Sequence, residues 1–132
     1  MKLLYAALGG AVGTVLRYLF TALVSRMADG MFPWGTLAVN LSGSFAVGFL
    51  WEVLMRFNAS SDSRTFILIG IVGGFTTFST FMLETVNLFR DSESGFALLN
   101  LMISNISGII LVIAGFFSAR LTLNFLHRGG PL

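Results

Sequence analysis

The sequence predicts an all-α membrane protein with four transmembrane helices, and three observations carry that prediction. Of its 132 residues, 55% are hydrophobic and only 11% are charged, where a soluble domain carries roughly 25% charged residues. The mean hydropathy is +0.86. A spanning helix needs about 20 apolar residues, so four spans leave about 50 residues for ends and connections and a fifth does not fit. The same arithmetic reads the chain as a single transmembrane domain, 1–132, without a sizeable extramembrane part. It excludes most catalytic clefts, nucleotide folds and nucleic-acid platforms.

Taken in order, the first span runs from Leu3 to Ser25 between Lys2 and Arg26, with one internal charge, Arg17. Its apolar run is too long for a signal-peptide core, so cleavage is not expected. Met27 to Phe32, with Asp29 and Gly30, is a short connection. The second span, 33–55, starts at Pro33, a natural first-turn residue, and ends before Arg56. Asn58 to Arg64 reads as a polar connection. The third span, 65–89, is interrupted by Gly73-Gly74 and a hydroxyl-rich stretch, and Arg90 to Ser94 closes it. The fourth covers 95–121, and the tail from Asn124 to Leu132 reads as polar.

Charge narrows the partners. The net charge is +2 and the eight Lys and Arg are scattered singly, so no basic cluster offers a nucleic-acid or phosphoinositide patch. The absence of cysteine excludes disulfides and thiol chemistry, and the single histidine, His127, excludes a histidine metal cluster. Lys2, Arg56, Arg64, Arg120 and Arg128 fall on one side of a four-helix layout, and Arg26 and Arg90 on the other. That biases both termini toward the cytoplasm, with insertion in both orientations left open.

Gly9, Gly10, Gly13, Gly43 and Gly48 permit close helix approach, which is how helices associate in a solvent as apolar as leucine. Two polar stripes at i, i+4 spacing share a helix face: Asn40, Ser44 and Gly48, and Asn100, Ser104 and Gly108. Asparagine at membrane depth is costly unless hydrogen-bonded. These faces either join helices or line a polar path.

The third span carries the chemistry. Gly70 to Phe81 reads GIVGGFTTFSTF, and glycine followed by Thr76, Thr77, Ser79 and Thr80 is a poor recipe for continuous helix. A third helix broken near its middle is expected. Such a break either cages a cation with freed main-chain carbonyls or is a kink patched by threonine hydroxyls. Phe78 and Phe81, three apart, share a face. They serve packing or lipid contact, or turn electropositive ring edges toward a dehydrated anion. Arg17 either snorkels to the interface or faces the bundle and holds anions. Glu84 lies one turn beyond Thr80 at i, i+4, which makes that hydroxyl its expected partner.

The motif GGFTTFSTF (Gly73 to Phe81) with Glu84, together with GTLAVNLSGSFAVG (Gly35 to Gly48) and GGAVGTVLRY (Gly9 to Tyr18), closely resembles the CrcB/Fluc family of fluoride channels. The match covers all four spans in order. The resemblance implies an antiparallel, dual-topology homodimer in the bacterial inner membrane, with two fluoride pores that export fluoride passively. The chemical logic is that HF crosses bilayers uncharged and dissociates inside, and the trapped anion needs a conduit out. The resemblance further implies a structural sodium ion at the dimer interface, held by main-chain carbonyls of Gly73 and Thr76. The pore residues it implies are Phe78, Phe81 and Asn40, flanked by Ser79, Thr80 and Glu84, with Arg17 in the vestibule. Asn100 and Ser104 fall on the family's fourth-helix polar track, where Gly108 stands in place of a common hydroxyl. The five-to-two charge bias also departs from the near-neutral balance that dual insertion favours.

Two other readings are weighed. A proton-coupled small multidrug transporter needs a carboxylate in the first span, where this chain has Arg17 and no acid. A non-transporting structural subunit gains nothing from the buried polar residues of the third span. No catalytic dyad points to an enzyme.

Overall fold

The computed structural model describes residues 1–28 and 30–128. The sequence readings on Asp29, on residues 129–132 and on the side chains of His127 and Arg128 lie outside that description. Helices account for nearly all of it: α1 (Lys2–Met27), α2 (Trp34–Arg56), α3 (Ser61–Arg64), a π-helical stretch (Thr65–Val72), α4 (Gly73–Phe75), α5 (Phe78–Arg90) and α6 (Ser94–Arg128). There is no strand among the described residues. Four segments, Lys2–Met27, Trp34–Arg56, Ser61–Arg90 and Ser94–Leu126, are long and apolar enough to cross a membrane.

Two parallel helix pairs build the bundle. α1 packs along the π-helical stretch and α4, and α2 along α6. Both contacts are made backbone to backbone through glycine. A Cβ on Gly9 would lie 2.9 Å from the Gly70 Cα, and one on Gly115 would lie 2.8 Å from the Phe49 nitrogen. Side chains larger than hydrogen there would pry the pairs apart, the expected device where no hydrophobic force drives helix association. Ser44 lies beside Gly108, Gly48 against Val112, and Glu52 pairs with Arg120 at 2.8 Å. The two polar stripes therefore run side by side in register.

Most helix ends fall a residue or two from the sequence expectation, and three differences have a local cause. The second connection is shorter, because Ser60 caps α3 by accepting from the Ser63 N–H at 3.1 Å and Ser61 to Arg64 become helical. Pro33 sits one residue before α2, as its N-cap. α6 continues past Leu121 to Arg128, since no glycine or proline interrupts the chain before residue 129. Left-handed residues close two helices, Asn58 (φ 47) after α2 and Ser92 (φ 63) after α5. Each lets the following N–H reach back five residues, Ala59 to Leu54 and Glu93 to Leu88.

Candidate functional site

The site begins where the third membrane segment loses its helical hydrogen bonds. α4 ends at Phe75, Thr76 (φ −79, ψ 155) and Thr77 (φ −146, ψ 117) are extended, and α5 starts at Phe78. In a continuous helix the Thr77 N–H would donate to the Gly73 carbonyl. It donates instead to Asn40 Oδ1 at 2.8 Å, and Asn40 Nδ2 donates to the Thr77 carbonyl at 2.9 Å. One side-chain amide on α2 thus satisfies both main-chain groups of a buried residue. Thr77 Oγ1 caps α5 by accepting from the Thr80 N–H at 3.3 Å, and donates to Thr80 Oγ1 at 3.0 Å. From α1, Arg17 Nη1 donates to the Thr76 carbonyl at 3.3 Å.

Around this turn lies a cavity of about 390 Å³ whose walls include Asn40, Ser44, Phe78, Phe81, Ser104 and Asn105. The phenyl rings of Phe78 and Phe81 meet edge to face, with centroids 6.0 Å apart and planes at 63°. Their environments differ sharply: Phe81 is 4% exposed and Phe78 72%. Gly73 and Thr76 line the same cavity, whereas Ser79 is exposed on α5 and does not. Asn100 is 1% exposed and also lies outside it. Its amide is spent within the bundle. Asn100 Nδ2 donates to Thr85 Oγ1 at 2.9 Å, Thr85 Oγ1 donates to the Phe81 carbonyl at 2.8 Å, and Ser104 Oγ donates to Asn100 Oδ1 at 3.3 Å. That relay ties α6 to the backbone of Phe81.

A second cavity, about 430 Å³, is lined by Arg17, Thr21, Thr36, Thr77, Thr80 and Glu84 among others. The partner of Glu84 is Thr36 and not the expected Thr80, whose hydroxyl instead accepts from Thr77 Oγ1. Thr36 Oγ1 donates to Glu84 Oε1 at 2.8 Å, and among the described residues the buried Glu84 Oε2 has no partner. Sequence reasoning missed Thr36, although it stands one turn before Asn40 and extends that stripe at the same spacing. It also missed Asn105, which no periodicity marks.

For a cation, the described residues hold no cluster of His, Cys, Asp or Glu. The oxygens on offer are main-chain ones. The Gly73 carbonyl has lost its α-helical donor to Asn40, and the Thr76 carbonyl keeps a lone pair beyond the one that Arg17 engages.

Residues 4–116 match the family described as CrcB-like protein, Camphor Resistance (CrcB). The chain is 43% identical over 121 residues to a fluoride-specific ion channel FluC of Desulforapulum autotrophicum, covering 91% of this chain and 97% of the relative. A protein of the same name from Agrobacterium fabrum is 46% identical over 86% of this chain and 92% of its own. One from Salinibacter ruber is 39% identical over 100% of this chain and 96% of its own.

Proposed function

Because the chain belongs to the CrcB family, we propose that it is a fluoride channel, carrying the anion passively out of the cytoplasm and relieving its toxicity. It is a channel rather than an enzyme. The observation that carries the reading is the near-full-length similarity to fluoride-specific channels, combined with a cavity within the membrane segments that brings Asn40, Ser44 and Ser104 beside Phe78 and Phe81. The test is fluoride efflux, followed with a fluoride electrode, from liposomes holding the pure protein. Efflux well above that of empty liposomes, with chloride retained, is expected. A rate equal to that of empty liposomes would overturn the reading.

The site residues have roles that their chemistry supports. A fluoride ion entering the bundle exchanges water for weaker, fixed dipoles, and an N–H or O–H donor compensates most. Asn40 keeps one amide N–H beyond the one given to Thr77, and Ser104 and Thr80 supply hydroxyls. The edges of Phe78 and Phe81 add electropositive hydrogens without a formal charge that would trap the ion. Arg17 and Glu84 line the adjoining cavity, where the arginine gathers anions at the vestibule. Ser79, exposed at the start of α5, and Asn100, buried behind Phe81, lie next to the first cavity without lining it.

The dimer and its sodium ion belong to the same proposal. Phe78 borders the polar-lined cavity yet is largely exposed, so one copy leaves that cavity open on its side, and a second, antiparallel copy would supply the missing wall. Gly73 and Thr76 offer neutral hard oxygens that suit an alkali cation, but two carbonyls are too few to replace its hydration, and two copies double the set. When bound, sodium would neutralise converging carbonyl dipoles and join the subunits. The membrane is the bacterial inner membrane, where the termini-side bias in Lys and Arg operates.

A further inference from the structure

We propose that Asn105 is an additional anion-contacting residue of the pore, a role that rests on the channel reading above. Asn105 is exposed on α6, eleven residues beyond its start and so roughly 17 Å along it, near the middle of a hydrocarbon core of about 30 Å. Its Nδ2 donates to the Leu101 carbonyl at 2.7 Å. Among the described residues the second N–H and Oδ1 have no partner. A primary amide with open polar groups is expensive in lipid at this depth.

The cavity relieves that cost. Asn105 lines the same space as Asn40, Phe78, Phe81 and Ser104, and the Ser44–Gly108 contact sets Asn40 and Ser104 at about one level. Asn105 stands one residue beyond Ser104, so its amide and that of Asn40 border one cavity from two helices. The internal bond to Leu101 fixes the amide, which leaves the remaining N–H free to donate to an ion passing the phenyl rings. Asn100 has the same chemistry five residues earlier, but is 1% exposed and lies outside the cavity, with its amide nitrogen and oxygen each bonded within the bundle. The amide that the fourth helix offers the permeating ion is therefore that of Asn105.

Fluoride efflux from liposomes tests this with wild-type protein, Asn105→Ala and Asn105→Asp, each checked for wild-type elution on size exclusion. Loss of one hydrogen bond to an anion lowers flux about tenfold in Asn105→Ala, and a carboxylate in the path lowers it further in Asn105→Asp. Flux within about twofold of wild type in both, with normal elution, would overturn the assignment. Should either variant elute abnormally, Asn105→Cys decides, since the chain has no other cysteine. Methyl methanethiosulfonate reacts with the thiolate, which forms where water reaches. Fast modification that blocks flux, compared with slow modification of Ile109→Cys on the exposed apolar face, is the expected outcome, and equal or absent reactivity at position 105 overturns the role. If wild-type protein itself passes no fluoride, the channel reading fails instead.

Discussion

Asn40 holds Thr77 by both of its main-chain groups, with Oδ1 accepting from the N–H at 2.8 Å and Nδ2 donating to the carbonyl at 2.9 Å. The amide does what a neighbouring turn of helix would do elsewhere. It joins two functions in one side chain, because the bonds that keep Thr77 extended also fix the amide beside the phenylalanines.

Replacing Asn40 with Ala orphans both Thr77 groups. Each unsatisfied buried group costs about 1–3 kcal/mol, so Asn40→Ala should lose on the order of 3 kcal/mol and nearly all fluoride flux. Unfolding by a detergent titration checks the first and liposome efflux the second. Asn40→Asp keeps the acceptor but sets a carboxylate against the Thr77 carbonyl, and should be equally inactive.

Phe78 and Phe81 separate flux from stability. Phe81→Ile leaves a hole in a buried position and should cost about 1–3 kcal/mol, whereas Phe78→Ile, at a mostly exposed ring, should stay within about 0.5 kcal/mol. Both should strongly lower fluoride efflux while the protein elutes as wild type. Unchanged throughput in Phe78→Ile would remove that ring from the path.

The Thr36–Glu84 bond gives a third comparison. Thr36→Val leaves both carboxylate oxygens without a donor among the described residues, because Oε2 already lacks one there. Flux should fall at least about fivefold, while Thr36→Ser, which restores the hydroxyl, stays within about twofold. Equal flux in both variants would show that this hydroxyl is dispensable.

Exchanging sodium for a bulky organic cation throughout purification should weaken the dimer or its transport if Gly73 and Thr76 carbonyls bind sodium. Chemical crosslinking and efflux read the two effects, and insensitivity in both would leave the extended turn as a simple kink.

Two adjacent glycines test the packing. Gly9→Ala drives a methyl into Gly70 and should cost about 1–3 kcal/mol or more. Gly10→Ala meets nothing within 4 Å and should shift stability by no more than about 1 kcal/mol. Thermal unfolding in detergent distinguishes them.

The helices were legible because lipid imposes a simple code of long apolar runs bounded by Arg and Lys, and the run GGFTTFSTF announced irregular backbone by its composition. What stayed hidden was pairing. Nothing local marks Thr36 as the donor to Glu84, since the partners are 48 positions apart and Thr80 offers the same hydroxyl at helical spacing. The burial of Asn100 and the exposure of Asn105 depend on how α6 is rotated about its axis. Stripes at i, i+4 spacing on a helix with apolar residues all round fix that rotation only to within a residue or two. The continuation of α6 to Arg128 is obscured for a related reason, because a polar composition marks the end of lipid and not the end of helix.

The extended turn at Thr76 and Thr77 also dictates an order of events. Its main-chain groups find their partners on Asn40 of α2 and Arg17 of α1, neither of which is at hand while the segment is surrounded by lipid alone. A solitary segment would satisfy those groups internally, as unbroken helix. The opening in the third helix is then a product of docking, made after insertion when the bundle closes around it. If the proposed path for the anion does run past this turn, a chain whose first two helices were mispacked would carry an intact third helix and no passage, and would stay sealed rather than leak.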